Sequence, residues 1–203
     1  MLGGKKMLLS FDGLETPLGD VRLVMQGDGL CTLAFVDGWE RAEAALRRRF
    51  GDVVLTPRRA PEDITSRLRA YFAGSVDALN ALRVDTGGTP FQEAVWRALR
   101  DIPPGYPETY AGLAQRVGRT TASARAVGSA NAANPIAVVV PCHRVVRSDT
   151  DVCGYAYGVE RKRWLLSHEA HAAGPSLAPA ILQPSRHSTP KGASMGASRA
   201  SKP

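Results

Sequence analysis

The residues with the clearest capacity for chemistry stand together in Pro141-Cys142-His143-Arg144-Val145-Val146. A thiolate is the strongest nucleophile among the common side chains, and a histidine and an arginine close by favour the ionised form. Pro141 ends the run Ile136 to Val140. Its five apolar residues predict a strand buried on both faces, with the Cys142 thiol held at its end. A lone cysteine is more often an inert buried residue, but the residues flanking Cys142 argue for a working one. The other two cysteines, Cys31 and Cys153, are widely spaced, and an odd total of three does not suit a disulfide framework. The histidines (His143, His168, His171, His187) and the cysteines lack the paired short spacings of zinc sites, so no metal is expected.

The elements that must carry this segment follow from patterning. Short strand-like runs, Met7 to Phe11, Gly19 to Met25 and Leu30 to Phe35, are separated by Gly- and Pro-containing turns and predict an antiparallel meander. Trp39 to Phe50 has apolar residues at helical spacing, Val53 to Leu55 suits a returning strand, and Ile64 to Phe72 a further helix. No chemical motif stands in this half, which reads as a small α/β scaffold. Gly87-Gly88-Thr89-Pro90 marks a hinge or turn, and Thr89 is placed to cap a helix over Phe91 to Leu99. Tyr110 to Val117 and Thr121 to Asn131, with Gly118 between them, predict two short helices arranged as a helix-turn-helix. Val159 to His168 predicts a last helix with Trp164, Leu165 and Leu166 as core candidates, and from about Gly174 the composition predicts disorder. Three segments result: a scaffold at 1–86, a second unit at 87–172 that carries the helix-turn-helix and the Cys142 segment, and a basic tail at 173–203.

The net charge of +7 is unevenly placed. Residues 1–89 balance at 12 basic and 12 acidic, residues 90–170 hold 10 against 7, and residues 171–203 hold 4 against none, so the excess lies in the C-terminal half. That sign suits phosphate contacts. No apolar run approaches the roughly 20 residues of a membrane-spanning helix, and the start lacks a signal peptide, so a cytoplasmic protein is expected.

Pro-Cys-His-Arg-Val resembles the active-site motif of the O6-alkylguanine-DNA alkyltransferases, or methylated-DNA–protein-cysteine methyltransferases. The resemblance extends over residues 89–170. It runs through Thr89-Pro90-Phe91-Gln92, Tyr110, Ser123-Ala124-Arg125-Ala126-Val127-Gly128, Asn134-Pro135, Gly154-Tyr155, Lys162 and Leu165-Leu166. The first 85 or so residues fit only in general layout. The fold implied is α/β: a small ribonuclease H-like domain followed by a mostly helical, winged-helix-like domain with the helix-turn-helix. The activity implied is single-turnover DNA repair. An alkyl group moves from O6-alkylguanine, with O4-alkylthymine left open, onto Cys142, and no cofactor is needed. A monomer acting on double-stranded DNA through the minor groove is implied, with no membrane partner.

The resemblance also implies roles. Guanine O6 is buried in the base pair, so the nucleotide must leave the stack. Arg125 would enter the duplex in its place, with Ala124, Ala126, Thr109 and Ser123 at the DNA surface. Tyr110 would line the base pocket and supply a proton. The rest of that pocket would be the backbone of Cys142 and Val145 and the loop with Tyr155, Ala156 and Tyr157. His143 would reach the thiol through a water, Glu169 would orient its ring, and Asn134 would tie the helix-turn-helix to the active-site strand. Two places depart from the family pattern: Asp149-Thr150-Asp151 lacks a glycine, and Tyr157 stands where many relatives carry Gly or Trp. Two other classes remain open. A cysteine hydrolase would need an oxyanion hole and repeated turnover, and a helix-turn-helix regulator would respond to operator sequence.

Overall fold

The computed structural model describes residues 6–148, 152 and 154–173. The expected meander is present: β1 (Met7–Leu14), β2 (Val21–Gln26) and β3 (Gly29–Phe35) pair antiparallel in sequence. From the edge at β3, α1 (Trp39–Phe50) carries the chain across one face of the sheet to β4 (Val53–Pro57). β4 pairs parallel with β1, giving the order β3-β2-β1-β4. Alternation along the strands sorts their side chains. Leu9, Val24, Cys31 and Val53 meet Leu46 of α1 on one face. On the other, Val21, Leu23, Met25, Leu33 and Phe35 join a larger core with Ile64, Leu68 and Tyr71 of α2 (Glu62–Phe72).

That larger core does not stop at the middle of the chain. It continues through Val95, Trp96 and Leu99 of α3 (Pro90–Arg100), then Leu113, Val127, Val140, Cys142 and Leu165. The connection at Gly87-Gly88 is a packed turn. Gly87 has φ +61°, and a Cβ there would run into the Arg49 guanidinium, while one at Gly88 would meet the Trp96 ring. Arg49 itself bonds the Asp85 carbonyl at 2.7 Å and its carboxylate. α3 begins as expected at Thr89, whose hydroxyl accepts from Gln92 N at 3.3 Å while the Gln92 side chain accepts from Thr89 N at 2.9 Å. A cap of this kind is worth about 1 kcal/mol.

The second half continues with β5 (Glu108–Thr109), α4 (Tyr110–Arg116) and α5 (Ala124–Ala132), the last entered through a 3-10 turn, Thr121–Ser123. Gly118, at φ +69°, turns the chain between the two helices. Trp96 Nε1 donates to the Ala130 carbonyl at 2.8 Å and fastens α5 to α3. A two-residue strand, β6 (Val145–Val146), pairs parallel with β5, and α6 (Val159–Ala173) closes the described chain. Leu165 and Leu166 are buried in it as expected, whereas Trp164 is half-buried, stacked on His168 with centroids 4.7 Å apart.

The segment Ile136 to Val140 corrects the expectation of a strand. All five residues are buried, but only Ile136 makes a strand-like contact, a parallel bridge to Leu33. The chain then turns: Val139 N donates to Ala137 O at 2.7 Å and Val140 N to Ile136 O at 3.0 Å. Val138 holds φ +67°, which costs a β-branched residue about 1–3 kcal/mol. Continuous apolar character reports burial, not period, and burial was satisfied here by a coil packed inside the core. Cys142 therefore lies in a 3-10 turn, Cys142–Arg144, and not at a strand end. The turn is anchored on the free edge of β3, where Leu33 N donates to Pro135 O (3.1 Å) and Ala137 N to Leu33 O (2.9 Å). Cys153, the Asp149-Thr150-Asp151 loop and the tail beyond residue 173 lie outside the described residues.

Candidate active site

Cys142 is 4% exposed. Its Sγ accepts from Asn134 Nδ2 at 3.1 Å, and the same amide donates to Val140 O at 2.7 Å. Asn134 Oδ1 accepts from Ile136 N at 2.9 Å, so one side chain closes the turn and touches the sulfur. Asn131, at the end of α5, donates to the Cys142 carbonyl at 3.3 Å. Two asparagines thus join α5 and the segment after it to the nucleophile. Burial pushes the thiol above its usual pKa, opposed by the Asn134 hydrogen bond and the Lys162 charge. The expectation that His143 and Arg144 favour a resting thiolate is corrected on this point. Arg144 is engaged elsewhere, and a thiol so buried needs a base when it reacts.

Arg144 turns inward and grips Glu169 of α6 with both prongs of its guanidinium, Nε to Oε2 and Nη2 to Oε1, each at 2.9 Å. It also donates to the Ile102 carbonyl. His143 Nε2 meets Glu169 Oε1 at 2.9 Å, and the Tyr71 hydroxyl donates to the same oxygen at 2.8 Å. His143 and Glu169 are fully buried. Burial alone would raise the Glu169 carboxyl; attraction from His143 and Arg144, with hydrogen bonds from both, reverses this and leaves it well below the usual carboxylate range. Burial lowers the His143 pKa, against the opposing pull of Glu169. The ring is therefore neutral at about pH 7, and its Nε2–H donates a hydrogen bond to the carboxylate. Its Nδ1 is buried without a hydrogen-bond partner among the described residues, a bare lone pair able to take a proton.

Around this cluster, Lys162 is fully buried and donates to the Val145 carbonyl at 2.6 Å. The Cys142 carbonyl accepts from both Asn131 Nδ2 and Val145 N. Tyr155 packs on the core near the thiol, and its hydroxyl is buried without a partner among the described residues. Tyr157 lies against the N-terminal half, edge-on to Phe35 with centroids 5.2 Å apart and beneath the Arg41 guanidinium. Arg41 also bonds the Ala156 carbonyl at 3.2 Å, and Arg161 bonds Leu18 O, Asp37 and Tyr157 O. Tyr110 starts α4, its ring near Gly128 of α5.

The other expected residues lie apart on the outer surface. Arg125 and Ala126 are exposed at the start of α5, with Ser123 and Ala124 half-buried beside them along a shallow open depression. Thr109 is committed locally: its hydroxyl accepts from Gly112 N at 3.0 Å and caps α4. No acidic residue occurs between Glu108 and Asp149, while Arg116, Arg119, Arg125, Arg144 and Arg147 do. That composition gives this region a positive bias suited to phosphate.

Comparison with known proteins places the chain. The methylated-DNA–protein-cysteine methyltransferase of Methanosarcina barkeri is 37% identical over 159 residues, which cover 78% of this chain and 96% of that protein. The chain belongs to this family. The family model for the DNA-binding domain of 6-O-methylguanine DNA methyltransferase matches residues 90–171. The Shigella flexneri methyltransferase is 51% identical over 111 residues, 55% of this chain, and that match spans 64% of the relative's own length. Among solved structures, Mycobacterium tuberculosis O6-methylguanine methyltransferase superposes with a TM-score of 0.67 at 35% identity, covering 85% of this chain and 96% of that one. The same organism's protein in complex with DNA gives 0.69 at 34% identity, covering 80% and 94%. The shared architecture is a mixed α/β fold with a small sheet and several helices.

Sequence reasoning missed Tyr71, Asn131, Arg41 and the engagement of Arg144 with Glu169. The Arg144 pair had a signal, an arginine in the motif and a glutamate in a helix, but nothing in the spacing joined them. Tyr71 had none, because it stands in a half without chemical motifs. Cys31 is settled as packing: Sγ donates to Val24 O at 3.2 Å, and burial pushes the thiol up to about 11.

Proposed function

We propose that this protein repairs DNA by moving an alkyl group from O6 of guanine onto the sulfur of Cys142, once per chain. The observation that carries the reading is the buried Cys142 thiol, held by Asn134 beside a histidine whose Nε2 is tied to an ionised carboxylate and whose Nδ1 is bare. Membership of the methyltransferase family supplies the substrate class.

In this mechanism His143 Nδ1 draws the thiol proton through a bridging water. Sulfur attacks the alkyl carbon, the S–C bond forms as the C–O bond breaks, and the electron pair leaves with guanine O6. Tyr110, or the returning His143 path, supplies the proton that neutralises the base. The product thioether is inert, so the chain is consumed. Glu169 holds the His143 ring, Asn134 links the turn to α5, and the guanine amine is received by the backbone carbonyls of Cys142 and Val145. Tyr155, Ala156 and Tyr157 form the rest of the base pocket.

Delivery of the base rests on α4 and α5. Arg125 enters the duplex from the minor groove in place of the extruded nucleotide, and Ala124, Ala126, Ser123 and Thr109 form the contact surface. The exposure of Arg125 and the small residues beside it support this placement. We also take the chain as a cytoplasmic monomer of two units, a ribonuclease H-like one at 1–86 and a winged-helix-like one at 87–172. Among the described residues, no helix is long and apolar enough to cross a membrane.

The test is intact mass after incubation with an O6-methylguanine duplex. One methyl group in place of one hydrogen is expected, located on the peptide holding Cys142. An unchanged mass, or a methyl elsewhere, refutes the reading, and repeated turnover with release of product would make the protein a hydrolase instead. Competition with an O4-methylthymine duplex settles whether that base is accepted.

A further inference from the structure

We propose that Tyr71, on α2 of the N-terminal half, is a positioning residue of the transfer site: its hydroxyl, seated on the Glu169 carboxylate, holds the group that orients the His143 ring and tempers its basicity, so that His143 stays available as a base. The proposal rests on the alkyl-transfer reading and gives the N-terminal half a part in the chemistry.

Three donors converge on Glu169 Oε1: Tyr71 Oη at 2.8 Å, His143 Nε2 at 2.9 Å and Arg144 Nη2 at 2.9 Å. Oε2 is held by Arg144 Nε at 2.9 Å. With two of the approaches to Oε1 filled, the imidazole is left one direction of approach. A neutral ring bonded there through Nε2–H must present Nδ1 as its base. Tyr71 is itself rigid. Its side chain is fully buried, with ring centroids 5.3 Å from both Phe72 and His168, and its carbonyl is bonded by His168 Nε2 at 2.7 Å. Burial, reinforced by the Glu169 charge, raises the phenol well above its ordinary value, so it stays a donor and gives up no proton in the reaction.

The groups facing this carboxylate, phenol and imidazole come from four places. α2 contributes Tyr71; the 3-10 turn contributes His143 and Arg144; the following loop contributes Tyr155; and α6 contributes Lys162, His168 and Glu169 itself. The Tyr71 hydroxyl withdraws negative charge from the carboxylate. Without it, Glu169 becomes the stronger base and holds an imidazolium more firmly, so His143 titrates at a higher pH. The base would then be lost earlier as pH falls.

Tyr71→Phe keeps the ring and removes only the hydroxyl. In the full chain, nitrogen-15 NMR of the His143 imidazole should show a titration moved up by about one unit, with a larger doubly protonated fraction at a given pH. The acid limb of the single-turnover rate on an O6-methylguanine duplex should move with it, so that the rate falls by up to about tenfold along that limb and little above it. Replacing Tyr71 by 3-fluorotyrosine, a stronger donor of nearly the same size, should shift the His143 titration downward. A merely structural role would lower the rate by one factor at every pH and leave the imidazole alone. An unchanged His143 titration in both variants overturns the proposal. If the unmodified protein transferred no methyl group, the repair reading would fail, while the imidazole titration would still decide the role of Tyr71.

Discussion

The Cys142–Glu169 cluster and the exposed face of α5 are built on opposite principles. In the cluster, Glu169 is fully buried, its oxygens take hydrogen bonds from Tyr71, His143 and Arg144, and it draws side chains from α2, the 3-10 turn and α6. On α5, Arg125 and Ala126 stand exposed in a stretch of chain without carboxylates. The first arrangement holds atoms in place, and removing one member leaves another unpaired. The second leaves charge available to a partner and adds little to folding. On the proposed mechanism, the contrast teaches that stability and reaction chemistry would share residues in this protein, while substrate delivery would be nearly separate from both.

Cys142→Ala should break the comparison most completely: alkyl transfer is abolished while affinity for duplex DNA, measured by fluorescence anisotropy, is retained. Transfer by that variant would end the assignment. Glu169→Ala leaves the Arg144 guanidinium buried without its carboxylate, and should cost about 3–5 kcal/mol in denaturant unfolding. Arg125→Ala, by contrast, should stay within about 0.5 kcal/mol of the parent. Equal losses would show that the two regions are not distinct in this way.

Arg125→Ala should instead slow repair in duplex DNA by about a hundredfold and leave reaction with free O6-alkylguanine nearly unchanged, since only the duplex demands a few kcal/mol of base extrusion. Equal slowing with both substrates would remove Arg125 from that role. The smallest effect concerns pH. His143 is held below its ordinary 6.5 and Glu169 below its ordinary 4.5, so in both ranges the unfolded chain takes up protons first. Stability from His143 is complete above pH 6.5 and lost as pH falls toward its folded value; that from Glu169 is complete above 4.5 and lost below it. The unfolding free energy, from denaturant titration at each pH, should therefore fall in two stages on acidification, by at most about 1.4 kcal/mol per pH unit for each group. His143→Gln should remove the upper stage only.

Much of the layout was legible beforehand. The meander, the helices starting at Trp39 and Pro90, and the pair around Gly118 follow from period, capping and turn residues, which act over a few neighbours. Ile136 to Val140 was misread for the same reason. Its apolar run stated correctly that it would be buried, but no local signal distinguished a strand from a strained coil docked on β3.

The sequence by itself singled out Cys142 as the candidate nucleophile and placed the chain among the methylated-DNA–protein-cysteine methyltransferases, because the motif is local and its neighbours are contiguous. Only the tertiary structure decided how that thiol is kept. It buried the sulfur, turned Arg144 away from it onto Glu169, and brought Tyr71 to a carboxylate 98 residues away. Pairings of this kind are set by which surfaces fit when the sheet, α2 and α6 pack together. That fit depends on the whole core, and no short stretch of residues contains it.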